Sequence, residues 1–134
     1  MFANIEALEN FIAQWEAGVL PKAQWTHAAH VGVGTYYAVR FPDCALDKTR
    51  EGIIRYNQAV GTANTDTSGY HETLTRFWAG ILARELAGIE DPLAAVRQAV
   101  ERYGHVRRLH ERYYSFDVVN SVPARCSWMP PDLL

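Results

Sequence analysis

The stretch that decides the fold is WTHAAHVGVGTYYAVRF, residues 25–41. It contains no carboxylate, and it has no Lys or Arg before Arg40, which is typical of a helix that is buried on most sides. Thr26 is a residue type that caps helix N-termini, and Pro42 should end the helix because the residue before a proline is disfavoured in the helical conformation. The stretch therefore predicts the most buried helix of the protein.

Helical periodicity continues along most of the chain. The first segment repeats apolar residues at helical spacing, at Ile5, Leu8, Ile12, Trp15 and Val19. Residues 44–61 should form a helix capped by Asp43, residues 70–88 another, and Asp91 with Pro92 should begin a fifth. Strand signals are almost absent, and prolines interrupt the last thirty or so residues. The sequence predicts an all-α fold, a helical bundle of four or five main helices with an irregular C-terminal tail, in one domain over residues 1–134.

Composition narrows the class of protein. A chain of 134 residues with 49% apolar and 21% charged residues fits one soluble globular domain. No apolar run is long enough to span a membrane, and residues 1–18 carry three glutamates and no basic segment of a secretory signal, so we expect a cytoplasmic protein. The net charge of −2 disfavours general nucleic-acid binding. Neither nucleic acid nor a membrane is therefore an expected partner.

Cysteines and arginines give weaker indications. Cys44 and Cys126 lie far apart without a C-x-x-C spacing, so we expect free thiols in a reducing compartment. One cluster of basic residues, called the arginine cluster below, is diluted by glutamates and is typical of a solvated helix face. Its members are Arg97, Arg102, Arg107, Arg108 and Arg112.

Two histidines begin the predicted central helix and share its inner face. His27 and His30 are three residues apart, so both rings project towards the apolar stripe. Gly34 lies one turn further on and would leave space beside them. A glycine at this position costs roughly 1 kcal/mol of helix stability relative to alanine. His71 begins the fourth helix pointing inward, and Asn57 replaces an aliphatic residue on the third. Because buried polar groups cost free energy unless they are paired, these residues should meet one another or a ligand.

The leading interpretation is a metal site. His27, His30 and His71 would bind a divalent transition metal and leave one position open for water or substrate. Neutral imidazole suits Zn, Cu, Fe and Ni, so the sequence does not distinguish these metals. The ion would act as a Lewis acid or activate bound water or dioxygen, which makes the chain a small metalloenzyme that acts on a small polar molecule.

Four further polar residues complete this predicted site. Asn57, Asn64 and Thr75 are expected to contact the substrate. Glu72 is the predicted catalytic residue, and it could orient His71, although a glutamate in the first turn also stabilises a helix through its dipole.

Two alternatives remain open. In a metal-free enzyme or ligand-binding protein, His27 or His30 would act as a general base while His71, Asn57 and loop 64–67 bind the substrate. In a helical interaction module, the arginine cluster would dock an acidic protein. His105 and His110 lie among those arginines and are expected to be exposed. A homodimer is compatible with the sequence, as is a monomer.

Three motifs carry a resemblance that covers most of the chain: WTHAAH at 25–30, RYNQAVGTANTDTSGYHETLTRFW at 55–78 and WMPPDL at 128–133. With these motifs the chain resembles a family of small bacterial helical proteins marked by W-T-H-x-x-H, N-x-x-x-G-x-x-N and G-Y-H-E-T. The resemblance implies a helical fold. It gives no indication of an activity. More loosely, the chain is similar to helical bundles of the DinB type, which hold a metal with three histidines from different helices.

Overall fold

The computed structural model describes residues 2–133, and this part of the chain is helical without any strand. It contains six α-helices: α1 Ile5–Glu16, α2 His27–Arg40, α3 Ala45–Ala59, α4 Glu72–Glu85, α5 Pro92–Tyr103 and α6 Val122–Cys126. Two short 3-10 turns, Lys22–Gln24 and Leu109–Arg112, lie between them. The predicted all-α bundle of four or five main helices with an irregular tail is confirmed, and five of the described helices are long. None of the helices between residues 2 and 133 has the length and hydrophobicity to cross a membrane.

Side-chain caps fix where the helices begin. Thr26 Oγ1 accepts a hydrogen bond from the Ala29 N–H at 3.2 Å, and Asp91 Oδ2 accepts one from the Ala94 N–H at 2.9 Å, as the sequence predicts. The predicted cap at Asp43 is wrong. The Cys44 N–H donates to the Phe41 carbonyl and closes a turn, so that α3 begins only at Ala45. Cys44 therefore occupies the cap position, and its side chain makes no capping bond.

Helix α2 is the central element, because it contacts α3, α4 and α5. Among its buried residues, Val33 and Tyr37 share one side of the helix, whereas Val31 lies on another side and packs in a different part of the core. A helix buried on several sides needs the near absence of charge that residues 25–41 show. The sequence prediction of a buried central helix is therefore confirmed.

The apolar core has two parts, one on each side of α2. The first joins α1, α2 and α3 around Trp15, which packs over Gly52 so closely that a Cβ at Gly52 would lie 2.3 Å from the Trp15 ring. The predicted inward position of Val19 is wrong, since this residue is 68% exposed. Gly18, with φ +75°, turns the chain away after α1 ends, so Val19 no longer follows the helical stripe.

The second part of the core joins α2, α4 and α5 to the C-terminal tail. Tail residues Tyr114, Val118 and Ala124 are buried in it. Polar bonds fix the tail on α4: Thr73 Oγ1 donates to the Ser127 carbonyl at 2.8 Å, and the Met129 N–H donates to Thr73 Oγ1 at 3.0 Å. The irregular tail is thus an ordered part of the fold and packs against α4.

Gly69 and Asn64 determine the conformation of the loop between α3 and α4. Gly69 has φ +78°, a left-handed conformation, and a Cβ there would lie 2.4 Å from the Ala63 carbonyl oxygen. Asn64 Oδ1 accepts the Tyr70 N–H at 3.0 Å and so closes the loop from within. This closed loop sets the position at which α4 starts.

Candidate functional site

A cavity of about 1160 Å³ opens between α2, α3 and α4, and the chain after α5 completes its wall. We call it the histidine cavity. Much of its wall is apolar, from residues that include Leu46, Ile53, Leu74, Trp78, Leu82 and Leu86. Small-molecule sites commonly have about 300–1,000 Å³ and the same combination of apolar walls with a few polar groups. The histidine cavity is therefore large enough for a small organic molecule.

Four of the five histidines in the chain line this one cavity: His27, His30, His71 and His110. They come from the starts of α2 and α4 and from the 3-10 turn Leu109–Arg112. Burial lowers the pKa of all four, because an imidazolium ion loses solvation among protein atoms. The cavity is thus lined at neutral pH by uncharged imidazole rings, each with one unprotonated nitrogen.

The unprotonated ring nitrogen of His30 makes no hydrogen bond within residues 2–133. Its Nδ1 lies 2.8 Å from the Thr26 carbonyl oxygen, which can only accept a hydrogen bond, so the ring proton is on Nδ1. Nε2 then carries the lone pair, and no hydrogen bond to it occurs within residues 2–133. Trp25 stacks on the ring with the centroids 3.8 Å apart and restricts its rotation.

The His30 ring packs among protein atoms, and the residue also lines the cavity. Protein atoms surround the ring, and this burial, with smaller contributions from His27 and Arg107, lowers its pKa to about 4. The residue is nevertheless exposed, and it lines the cavity. His30 is therefore a neutral base that a ligand can reach.

His27 lies on the same wall and is oriented differently. Its Nε2 donates to the Tyr103 carbonyl at 3.1 Å, which ties the start of α2 to the end of α5. Its ring meets Trp78 edge to face, with the centroids 5.1 Å apart. Burial lowers the pKa of His27 most, and the charge of Arg107 lowers it further. This histidine holds two helices together while one side of it faces the cavity.

His71 uses both of its ring nitrogens in the fold. As N-cap of α4, its Nδ1 accepts the Leu74 N–H at 3.1 Å, and its Nε2 donates to the Val118 carbonyl at 2.9 Å. Only the neutral ring with its proton on Nε2 makes both bonds. His71 therefore joins α4 to the tail and has no free nitrogen for a ligand.

His110 belongs to the cavity although the sequence analysis expected it to be exposed. That expectation is wrong, because His110 is 8% exposed and lines the cavity. The 3-10 turn Leu109–Arg112 directs it inward, whereas Arg108 and Glu111 pair with each other on the outside at 2.8 Å. Its Nδ1 is buried without a hydrogen-bond partner within residues 2–133. An Arg–Glu pair three residues apart also fits the exposed face of an α-helix, so the local sequence carries no signal that places His110 inward.

The two predicted substrate-binding asparagines are hydrogen-bonded to each other, but only Asn57 lines the cavity. Asn57 is buried, lines the cavity, and donates from Nδ2 to Asn64 Oδ1 at 2.9 Å. Asn64 faces away from the cavity, and its Nδ2 donates to the Ile54 carbonyl at 3.1 Å. Asn57 is thus in a position to contact a ligand, while the bonds of Asn64 hold the loop before α4.

Of the two predicted residues on α4, only Thr75 lines the cavity. Glu72 faces a shallow surface depression instead, and its carboxylate is fully engaged. Arg50 donates to both carboxylate oxygens at 2.9 and 2.7 Å, and the Tyr70 hydroxyl donates at 2.6 Å. Arg50, more than any other neighbour, lowers the pKa of Glu72. This arrangement favours a structural ion pair over proton transfer in the cavity.

The three predicted metal ligands line one cavity but are not arranged around a common point. Within residues 2–133, no group of three or more His, Cys, Asp or Glu side chains is placed to hold one metal ion. His71 would have to release both the Leu74 N–H and the Val118 carbonyl to become a ligand. As folded, the three histidines do not fit a shared ion, and the metal site remains a sequence-based prediction.

Comparison of the chain with protein-family models, with curated proteins and with solved structures found no match.

Proposed function

We propose that the protein binds a small organic molecule in the histidine cavity and acts on it by acid–base chemistry, with His30 Nε2 as the proton acceptor. The observation that carries this proposal is the free lone pair of His30, in a cavity large enough for a ligand. A general base must reach the proton it removes, and an exposed histidine in the cavity wall with one unbonded ring nitrogen is suited to this condition.

The other cavity residues would position the base and the ligand. The Thr26 carbonyl accepts from Nδ1 of His30 and thereby holds the ring in the tautomer whose lone pair is on Nε2. Trp25 holds the ring plane by stacking. Asn57 and Thr75 offer polar contacts on the walls formed by α3 and α4. His30 as the base and Asn57 as a ligand contact belong to the metal-free alternative predicted from the sequence, in which His71 and loop 64–67 were the other substrate contacts.

Turnover of a small-molecule extract tests the proposal. Purified protein is incubated with the extract of its expression host, and the components are quantified by mass spectrometry. We expect at least one component to be consumed by the wild type and by His105→Gln, since His105 is exposed and lies outside the cavity. His30→Gln should consume it at least 100-fold more slowly, the usual contribution of a general base being about 10²–10⁴.

Two results would count against the proposal in different ways. Equal turnover by His30→Gln and the wild type would exclude His30 as the base. Consumption of no component at all would remove the acid–base activity and leave only ligand binding.

A further inference from the structure

Charged side chains are few around the histidine cavity. Lys22 and Arg107 are the cations that line it within residues 2–133, and Glu90 is the only carboxylate. Arg107 is the cation that lies near the histidines of α2, since its charge acts on both His27 and His30. In the cavity wall, the positive charge of Arg107 therefore lies near the neutral rings of His27 and His30.

Arg107 and Arg112 are the members of the arginine cluster that make no hydrogen bond or ion pair within residues 2–133, and of these two only Arg107 lines the cavity. Arg97 donates to the carbonyls of Phe2 and Ala3, Arg102 pairs with Glu85, and Arg108 pairs with Glu111. No hydrogen bond or ion pair of Arg107 occurs within residues 2–133, and the residue is exposed. Its guanidinium group is thus available to an anion that enters the cavity. A guanidinium group binds a carboxylate through two parallel hydrogen bonds.

The remaining wall suits an apolar group. Leu74, Trp78 and Leu82 line the cavity from α4, and Ile53 lines it from α3. Burial of apolar ligand surface against such side chains contributes about 25 cal/mol per Å². One molecule that fills the cavity would therefore meet an apolar wall and, near His27 and His30, the guanidinium group of Arg107.

From this arrangement we infer that the ligand of the histidine cavity is an organic anion, with an apolar body against Leu74, Trp78 and Leu82 and an acidic group paired with Arg107. The inference rests on the proposed function, because it names the ligand class for the same cavity. Pairing of the acidic group with Arg107 would leave a neighbouring group of the ligand facing His30 Nε2.

Two fluorescent probes test the inference directly. 1-Anilinonaphthalene-8-sulfonate and N-phenyl-1-naphthylamine share one aromatic body, and only the first carries an anionic group. We expect the wild type to bind the sulfonate more tightly than the neutral probe. Arg107→Gln should raise the Kd of the sulfonate about five- to tenfold, and it should change the Kd of the neutral probe less than twofold. Arg112→Gln is the matched control, since Arg112 is an exposed arginine of the same cluster outside the cavity.

A blocking variant shows whether the probes occupy the cavity. Gly34 lies in the cavity wall, where a Cβ would meet only Leu82 Cδ1 at 3.4 Å, so Gly34→Leu should fill space inside the cavity. Gly80→Leu is its control, because Gly80 is an exposed glycine of α4 with nothing within 4 Å of a Cβ. We expect Gly34→Leu to weaken both probes at least tenfold and Gly80→Leu to leave both unchanged.

The outcomes separate the inference from the proposed function. If both probes bind, Gly34→Leu weakens both, and Arg107→Gln has no selective effect on the sulfonate, the anion inference is overturned while the binding cavity stands. If neither probe binds, or Gly34→Leu changes neither Kd, the cavity is not a binding site, and the proposed function and the inference fail together.

Discussion

The beginnings of α2 and α4 each carry a histidine that lines the same cavity, yet the two rings have different roles. His71 at α4 makes two hydrogen bonds within the fold, to the Leu74 N–H and to the Val118 carbonyl. His30 in the first turn of α2 makes one, to the Thr26 carbonyl, and keeps Nε2 free. A buried polar residue therefore indicates a functional group only after its internal hydrogen bonds have been counted. The sequence pattern treats both histidines alike, and only the fold distinguishes them.

The largest expected effect comes from removing His71. His71→Ala takes away the cap of α4 and leaves the Val118 carbonyl without its donor, so we expect the free energy of unfolding to fall by about 2–4 kcal/mol. His30→Ala removes a single bond at the cavity surface and should cost less than about 1 kcal/mol. Urea denaturation measures both. Equal losses for the two variants would contradict the distinction between a structural and a free histidine.

A second comparison concerns Glu72, the predicted catalytic residue. Glu72→Gln weakens the two-bond ion pair with Arg50, so we expect a loss of about 1–2 kcal/mol in unfolding free energy. Asp47→Asn removes the other and more exposed carboxylate partner of Arg50 and should cost less than about 0.5 kcal/mol. The neutral probe should bind Glu72→Gln with unchanged Kd, because Glu72 does not line the cavity. If Glu72→Gln instead bound the neutral probe much more weakly, Glu72 would have to contribute to the histidine cavity.

The pH dependence of stability gives a smaller effect. The folded-state pKa values of the cavity histidines lie below the usual value near 6.5, so the unfolded chain binds more protons as the pH falls below that value. The unfolding free energy should therefore be highest above pH 6.5 and decrease towards pH 4. His110→Leu should make this decrease shallower between pH 6.5 and 5. An identical profile for His110→Leu and the wild type would argue against a neutral, buried His110.

The smallest expected effect tests the three-histidine metal site. Because His71 has no free ring nitrogen, added Zn²⁺ should leave the Tm of the wild type unchanged, and the purified protein should carry no metal that dialysis against a chelator removes. A stoichiometric metal in the wild type that is lost in His71→Ala would support the metalloenzyme and show that the histidines rearrange.

The sequence predicted the helices well because their signals are local. Thr26, Asp91 and the uncharged stretch before Arg40 fixed α2 and α5, and these depend on residues a few positions apart. The prediction for Val19 failed because a left-handed glycine breaks the helical period on which it rested. The prediction for His110 rested on its arginine neighbours and failed because the 3-10 turn directs the ring inward. The bonds that occupy His71 and Asn64 could not be predicted. The partner of His71 Nε2 is a carbonyl 47 residues further along the chain, in the tail.

The most direct test of the central claim is the tautomeric state of the two histidines. Long-range proton–nitrogen NMR spectra of protein with ¹⁵N-labelled histidine, recorded at pH 7, identify which ring nitrogen carries the proton. The structure predicts that His30 is neutral with its proton on Nδ1 and a free Nε2, and that His71 is neutral with its proton on Nε2. A charged His30, or a His30 with its proton on Nε2, would contradict the account, since neither would have the free base on which the proposed function depends.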